Sequence, residues 1–275
     1  MTRAHAKATA KAQAHQTRID SLWDFDDPAE SERRFTDAAR SERGLDGEIL
    51  TTQIARAIGL QSRFDEARAL LDELPDDEDE ELRVRVLLER GRLLNSGGDP
   101  RRAKPEFEMA FGAASDAGLE FLAIDALHML AIIAAPADQD GLNRRALELA
   151  AGAADPRARQ WRASLLNNLG WSAFDRGELS AAMALFEDAL AARLEHGRES
   201  DIIVARWCIG RTLRELGRAS DALALQLQLA DQLRATGRTD QYVDEEIAAC
   251  RAALGEGDAS GAAGSVLNQD DPTAS

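Results

Sequence analysis

The stretch from Ser164 to Leu194, SLLNNLGWSAFDRGELSAAMALFEDALAARL, constrains the fold more than any other feature, because its spacing recurs along most of the chain. Leu166 and Leu169 precede Gly170, and Ala173, Ala182, Phe186 and Ala189 follow it. Gly170 and Ala173 fall on one helix and Ala182 and Ala189 on the next, so the two backbones can approach to about 8–10 Å, with Phe186 filling the groove between them. The link Asp175-Arg176-Gly177-Glu178 places a glycine just past the first helix, where a left-handed C-cap residue is wanted. So short a link makes the helices antiparallel. One such pair cannot bury its apolar faces alone and must stack on copies of itself.

The same offsets recur around Gly91, with Leu87, Leu94, Ala103, Phe107 and Ala110. Around Ala55 they give Ile54, Ile58, Ala67, Leu71 and Leu74, and around Ile19 they give Leu22, Ser31, Phe35 and Ala38. Gly210 returns Ile209, Leu213, Ala222 and Leu229, but Gln226 stands where a large apolar residue is expected. Ala131 returns Leu127, Leu130 and Ala134, and its second helix fits as Ala146, Ala150 and Ala153 after a three-residue insertion. The anchors step by 36 residues twice and by 39 or 40 thereafter.

This pattern resembles the tetratricopeptide repeat over about residues 15–254, with steps longer than the usual period of about 34, as in members of signalling and motor-adaptor type. The resemblance implies an all-α fold, an α-solenoid of about six helix-turn-helix pairs in a right-handed superhelix. It also implies a surface that holds another molecule. Residues 1–14 are expected to form a basic N-terminal arm or an extension of the first helix. Residues 255–275, rich in Gly, Ala, Ser and Asp, are expected to form a disordered tail.

With 44% hydrophobic but only 5% aromatic residues, the core must be built from Ala and Leu, a composition that favours helices. The net charge of −16 argues against nucleic acid and against anionic membranes as partners. Cys208 and Cys250 make no disulfide framework and no run approaches the length of a membrane span, so a cytoplasmic location is expected. His5, His15, His128 and His196 lie far apart without metal-ligand spacing, and no phosphate loop or nucleophile elbow occurs. Neither an enzyme, a metal nor a cofactor is expected.

Several local features fix boundaries. Asp27-Pro28, Asp99-Pro100 and Asp155-Pro156 read as helix starts, with aspartate capping and proline in the first helical position. The acidic run from Asp76 to Glu81 opens the helix that runs through Leu94, its charge favourable at a helix N-terminus or presented to a basic partner. Pro105 would clash with the carbonyl of Arg101, which places the start of its regular helix near Lys104. Residues 134–141, AAPADQDG, read as a turn holding the inserted residues.

In a tetratricopeptide-like superhelix the first helix of each pair lines the concave face, on a stripe three residues before, one after and four after each anchor. The stripe reads Gln16, Asp20 and Trp23; Thr52, Arg56 and Gly59; Leu88, Arg92 and Asn95; His128, Ile132 and Ala135. It continues with Asn167, Trp171 and Phe174, then Trp207, Arg211 and Arg214. Trp and Arg are the types that most often carry interface energy, and Asn can clamp a peptide backbone with its donor and acceptor together. The peptide-binding candidates are therefore Asn167, Trp171, Trp207, Arg211, Arg214, Arg92 and His128, facing a protein or peptide with an acidic or C-terminal carboxylate. The tryptophans can equally be inter-repeat core. The carboxylate clamp of chaperone-binding relatives is absent, since His128, Ile132, Val204 and Cys208 stand where its charged and amide residues belong and only Asn168 fits. Two function classes result: a monomeric scaffold or adaptor, or a peptide-sensing regulatory module without a DNA-binding headpiece of its own.

Overall fold

A computed structural model of the chain describes residues 3–75 and 79–255. The expected tail beyond Gly255, and the Asp76–Glu78 part of the acidic run, lie outside the described residues. Among the latter there are thirteen helices and no strand: α1 (Arg3–Leu22), α2 (Pro28–Ser41), α3 (Leu45–Leu60), α4 (Phe64–Asp72), α5 (Glu80–Ser96), α6 (Pro100–Ala117), α7 (Glu120–Ile133), α8 (Pro136–Gly152), α9 (Pro156–Asp175), α10 (Leu179–His196), α11 (Glu199–Glu215), α12 (Ala219–Ala235) and α13 (Gln241–Ala253). They gather into two compact units, Met1–Ser172 and Ala173–Ser275.

Five second helices, α2, α4, α6, α10 and α12, begin nine residues after Ile19, Ala55, Gly91, Gly170 and Gly210 respectively. Each buries a small residue three positions on (Ser31, Ala67, Ala103, Ala182, Ala222) and a large one four further (Phe35, Leu71, Phe107, Phe186, Gln226). Serine is tolerated in the alanine slot because the Ser31 hydroxyl donates to the Asp24 carbonyl (2.7 Å) and accepts from the Asp24 N–H (2.8 Å). A Cβ on Gly91 would collide with the ring of Phe107, and one on Gly210 with the amide of Gln226. Close backbone approach thus depends on glycine at these two anchors, and burial of each phenylalanine contributes about 1.5–3 kcal/mol.

Four hairpins share a three-residue loop, 61–63, 97–99, 176–178 and 216–218. Its middle residue is left-handed in every case: Ser62 at φ 63°, Gly98 at 87°, Gly177 at 75° and Gly217 at 78°. The last loop amide donates to a carbonyl five residues back, Asp99 to Leu94, Glu178 to Ala173 and Arg218 to Leu213 at 2.9 Å, and Arg63 to Ile58 at 3.3 Å. This bond satisfies carbonyls that a helix end leaves open.

The Asp-Pro starts fall where the sequence places them. Asp27 Oδ1 accepts from the Glu30 N–H (2.9 Å), Asp99 Oδ1 from that of Arg102 (3.1 Å) and Asp155 Oδ1 from that of Arg157 (2.8 Å). Helix α5 is capped by Asp79, whose Oδ1 accepts from the N–H groups of Glu81 (3.0 Å) and Leu82 (3.1 Å).

Two local expectations are corrected. Helix α6 begins at Pro100 and runs through Pro105, which leaves the Arg101 carbonyl without its i→i−4 donor but does not end the helix. Residues 134–141 are not a turn: only Ala134 and Ala135 separate α7 from α8, which starts with Pro136 in the first helical position. The inserted residues lengthen α8 at its N-terminus, and Ala146, Ala150 and Ala153 are buried as the offset expects, with Asn143 one turn earlier also buried. Gln226 fills the aromatic slot completely, its Nε2 donating to the Trp207 carbonyl (3.3 Å).

Candidate binding surfaces on the first helices

In the unit Met1–Ser172, the first-helix stripes of α1, α3 and α5 converge. Gln16, Asp20, Trp23, Arg56, Leu88 and Arg92 line one cavity of about 170 Å³, which Gln53, Phe121, Asp125 and Trp161 complete. Two stripe residues are core instead. Thr52 is fully buried and its hydroxyl donates to the Ile49 carbonyl (2.7 Å), while Gly59 is buried against Leu93.

Arg92 is the hub of this face. One Nη2 donates to both carboxylate oxygens of Asp125 (2.6 Å each), and Nη1 donates to Glu89 Oε1 (2.5 Å). Burial disfavours the guanidinium charge, but Asp125 and Glu89 more than offset it, so Arg92 is held above its ordinary value. Burial likewise opposes ionisation of Asp125, and the charges of Arg92 and then Arg56 outweigh it, holding that carboxyl low. A buried pair of this kind with satisfied geometry resists disruption, because removal of either partner strands a charge.

His128 lies on the same face of α7, one turn beyond Asp125. Asn168 Nδ2 donates to its Nδ1 (3.2 Å), and its ring stands 5.0 Å from that of Trp161. Burial lowers the His128 pKa, against the opposing pull of Asp125, which agrees with a neutral ring accepting at Nδ1. Asn167 and Trp171 sit further along α9, both partly exposed.

In the unit Ala173–Ser275, Arg211 is placed between aromatic faces, its guanidinium carbon 5.5 Å from the Trp207 ring centre and 5.8 Å from that of Phe174. Arg214 is engaged by α13: its Nε donates to Glu246 Oε1 (2.5 Å) and its Nη2 to Oε2 (3.3 Å), which raises its pKa. Trp207 donates from Nε1 to the Tyr242 carbonyl (3.0 Å) and meets the Tyr242 ring edge-on at 6.1 Å. Cys208 and Cys250 are buried.

Sequence reasoning missed Glu89, Asp125, Phe121 and Trp161 in the first unit and Tyr242 and Glu246 in the second. Only Asp125 left a signal, since it lies three residues before His128 on one helical face. Among the described residues no cluster of His, Cys, Asp and Glu could hold a metal ion, and no helix is long and apolar enough to cross a membrane.

Stacked hairpins with small-residue anchors, and first helices that carry arginine and aromatic side chains, define a tetratricopeptide-like helical repeat protein. The family model described as Tetratricopeptide repeat matches residues 162–196. Solved structures share the fold at low identity. BtubC (BKLC) from P. vanneervenii is 19% identical, with 98% of each chain covered and a TM-score of 0.53. The apo form of RapI is 13% identical over 90% of this chain and 72% of its own, with a TM-score of 0.66. NprR in complex with its cognate peptide NprX is 12% identical over 93% of this chain and 75% of its own, at 0.54. Comparison with curated protein sequences gives no match.

Proposed function

We propose that the chain is a non-catalytic interaction scaffold or adaptor, monomeric and cytoplasmic, that holds a protein or peptide segment against its first-helix faces. The observation that carries this reading is Arg211 set between Trp207 and Phe174 on a partly exposed face. A guanidinium fixed between rings keeps its forked donors oriented for a carboxylate while the rings supply contact area. Asn167, Trp171, Arg92 and His128 in the first unit, and Arg211, Arg214 and Trp207 in the second, are the residues assigned to the partner. An acidic side chain or C-terminal carboxylate is the complementary chemistry. The tetratricopeptide-like fold, common among binding modules, supports the absence of catalysis.

The likeness to NprR, whose structure holds its cognate peptide, favours a second reading, a peptide-sensing regulatory module. A sensor binds a short peptide and changes shape, whereas an adaptor captures an intact protein. Affinity capture from lysate of the source organism tests the first reading. The native chain is compared with a Trp171→Ala, Trp207→Ala, Arg211→Ala variant whose circular dichroism shows it folded. A protein retained by the native chain alone supports the scaffold. Equal retention by both removes these residues from the interface.

A further inference from the structure

The cavity of the first unit has its own chemistry, apart from any extended peptide surface. Three arginines, Arg56, Arg85 and Arg92, and three carboxylates, Asp20, Glu89 and Asp125, line it, so its formal charge balances. Two of the arginines are committed. Arg92 is held by Asp125 and Glu89, and Arg85 donates to Glu81 (2.9 Å) and to Gln16 Oε1 (3.2 Å). Arg56 is not: it lies over the rings of Trp23 (5.4 Å) and Phe25 (5.6 Å), and among the described residues its N–H groups have neither a hydrogen-bond acceptor nor an ion-pair partner. Trp23 and Phe25 are themselves stacked, 4.6 Å apart and nearly parallel.

Unused capacity, one acceptor and one donor, stands on other lining residues. Glu89 Oε2, an acceptor, and Trp161 Nε1, a donor, are buried without a hydrogen-bond partner. Leaving such groups unmet is unfavourable, the more so for a charged one. A volume of about 170 Å³ is below the roughly 300–1,000 Å³ of pockets for drug-sized ligands, and it suits a molecule of amino-acid size.

We propose that this cavity binds a small zwitterion of the α-amino-acid class, its carboxylate held by Arg56 and its ammonium by Glu89. A simple anion would satisfy Arg56 and leave Glu89 Oε2 open. A simple cation would be repelled by Arg56. A zwitterion satisfies both and keeps the balance of three arginines against three carboxylates. The rings of Trp23 and Trp161 give the ammonium aromatic faces to approach, and Ile19, Leu88 and Leu122 supply apolar lining for a modest side chain.

Nuclear magnetic resonance of the ¹⁵N-labelled full chain tests this through the indole N–H signal of Trp161, assigned with a Trp161→Phe variant. The probes are a mixture of free neutral amino acids, the same set N-acetylated, and the same set as C-terminal amides. The free amino acids are expected to move the Trp161 signal, and the acetylated and amidated sets to leave it in place. Arg56→Gln, with an unchanged thermal melt, is expected to weaken the response about tenfold or more. Equal response to the N-acetyl set overturns the zwitterion and leaves a carboxylate site of the kind a peptide C-terminus would occupy. Response to no set, or an unaltered response in Arg56→Gln, overturns the site altogether. The probe series on the native chain decides even where a variant fails to fold, and none of its outcomes bears on the capture of a protein through Trp207 and Arg211.

Discussion

His15 Nδ1 lies 2.8 Å from Glu81 Oε2, which joins α1 to α5 across 66 positions of sequence. The other ring nitrogen, Nε2, stands 3.0 Å from Asp46 Oδ1 on α3. The hydrogen bond to Glu81 raises the His15 pKa first, burial opposes it, and Asp46 adds to the rise while Arg85 subtracts. Burial works against ionisation of Glu81, but His15 and Arg85 outweigh it and keep that carboxyl low.

A pH dependence of the α1 attachment follows. The folded value of His15 lies above its ordinary 6.5, so the contribution is complete below that pH and fades as pH rises through the raised value. The lower edge is set by Glu81, whose depressed pKa keeps the pair intact until pH falls through it. Hydrogen exchange of α1 amides, corrected for intrinsic rate, is expected to speed up by roughly fivefold between pH 6 and pH 8.5, an effect of about 1 kcal/mol. In His15→Gln the difference should vanish. An identical pH profile in that variant would show that α1 is held by something else.

The packing of Gly91 against Phe107 makes the second prediction. Gly91→Leu forces the side chain into the ring, and the helices of that hairpin must separate. A loss of about 1–3 kcal/mol is expected in urea unfolding. Gly112, where a Cβ would meet nothing within 4 Å, is the control: Gly112→Ala should leave the midpoint unchanged or raise it slightly. Equal effects at the two sites would remove the anchor from the account of the fold.

Ser62 supplies the third. It occupies at φ 63° the loop position that glycine holds in three sibling hairpins. The left-handed conformation costs an L-residue about 1–2 kcal/mol, part of which glycine gives back through a freer unfolded chain. Ser62→Gly is therefore expected to stabilise by about 0.5–1 kcal/mol, read as a higher denaturation midpoint. A lower midpoint would mean that the serine side chain is worth more than the strain it carries.

These cases mark what could be read in the chain and what could not. The Gly91–Phe107 approach was legible because it follows from side-chain volume at a fixed spacing within one hairpin. The Asp-Pro starts were legible for the same reason, since capping is local. The start of α8 was misplaced because an insertion can lengthen a loop or a helix, and Pro136 suits the first position of either. Arg92 lines one cavity with Gln16, Trp23 and Arg56, yet its bond to Asp125 spans 33 positions, and no local pattern fixes which acid on the next hairpin receives it. The engagement of Trp207 by Tyr242 escaped notice likewise, because nothing on α11 announces a partner on α13.

The nine-residue interval between five of the anchors and the following helix bears on how chains of this design change length. The hairpin turns of four pairs are identical in size, whereas the described joints between pairs run from two residues at 118–119 to five at 236–240. Differences in length among the pairs therefore lie in the joints, in the second helices and in the links at 23–27 and 134–135, while four turns share one gauge. A foreign segment grafted into a joint such as 236–240 should be carried without loss of fold, and the same segment placed at 97–99 should not.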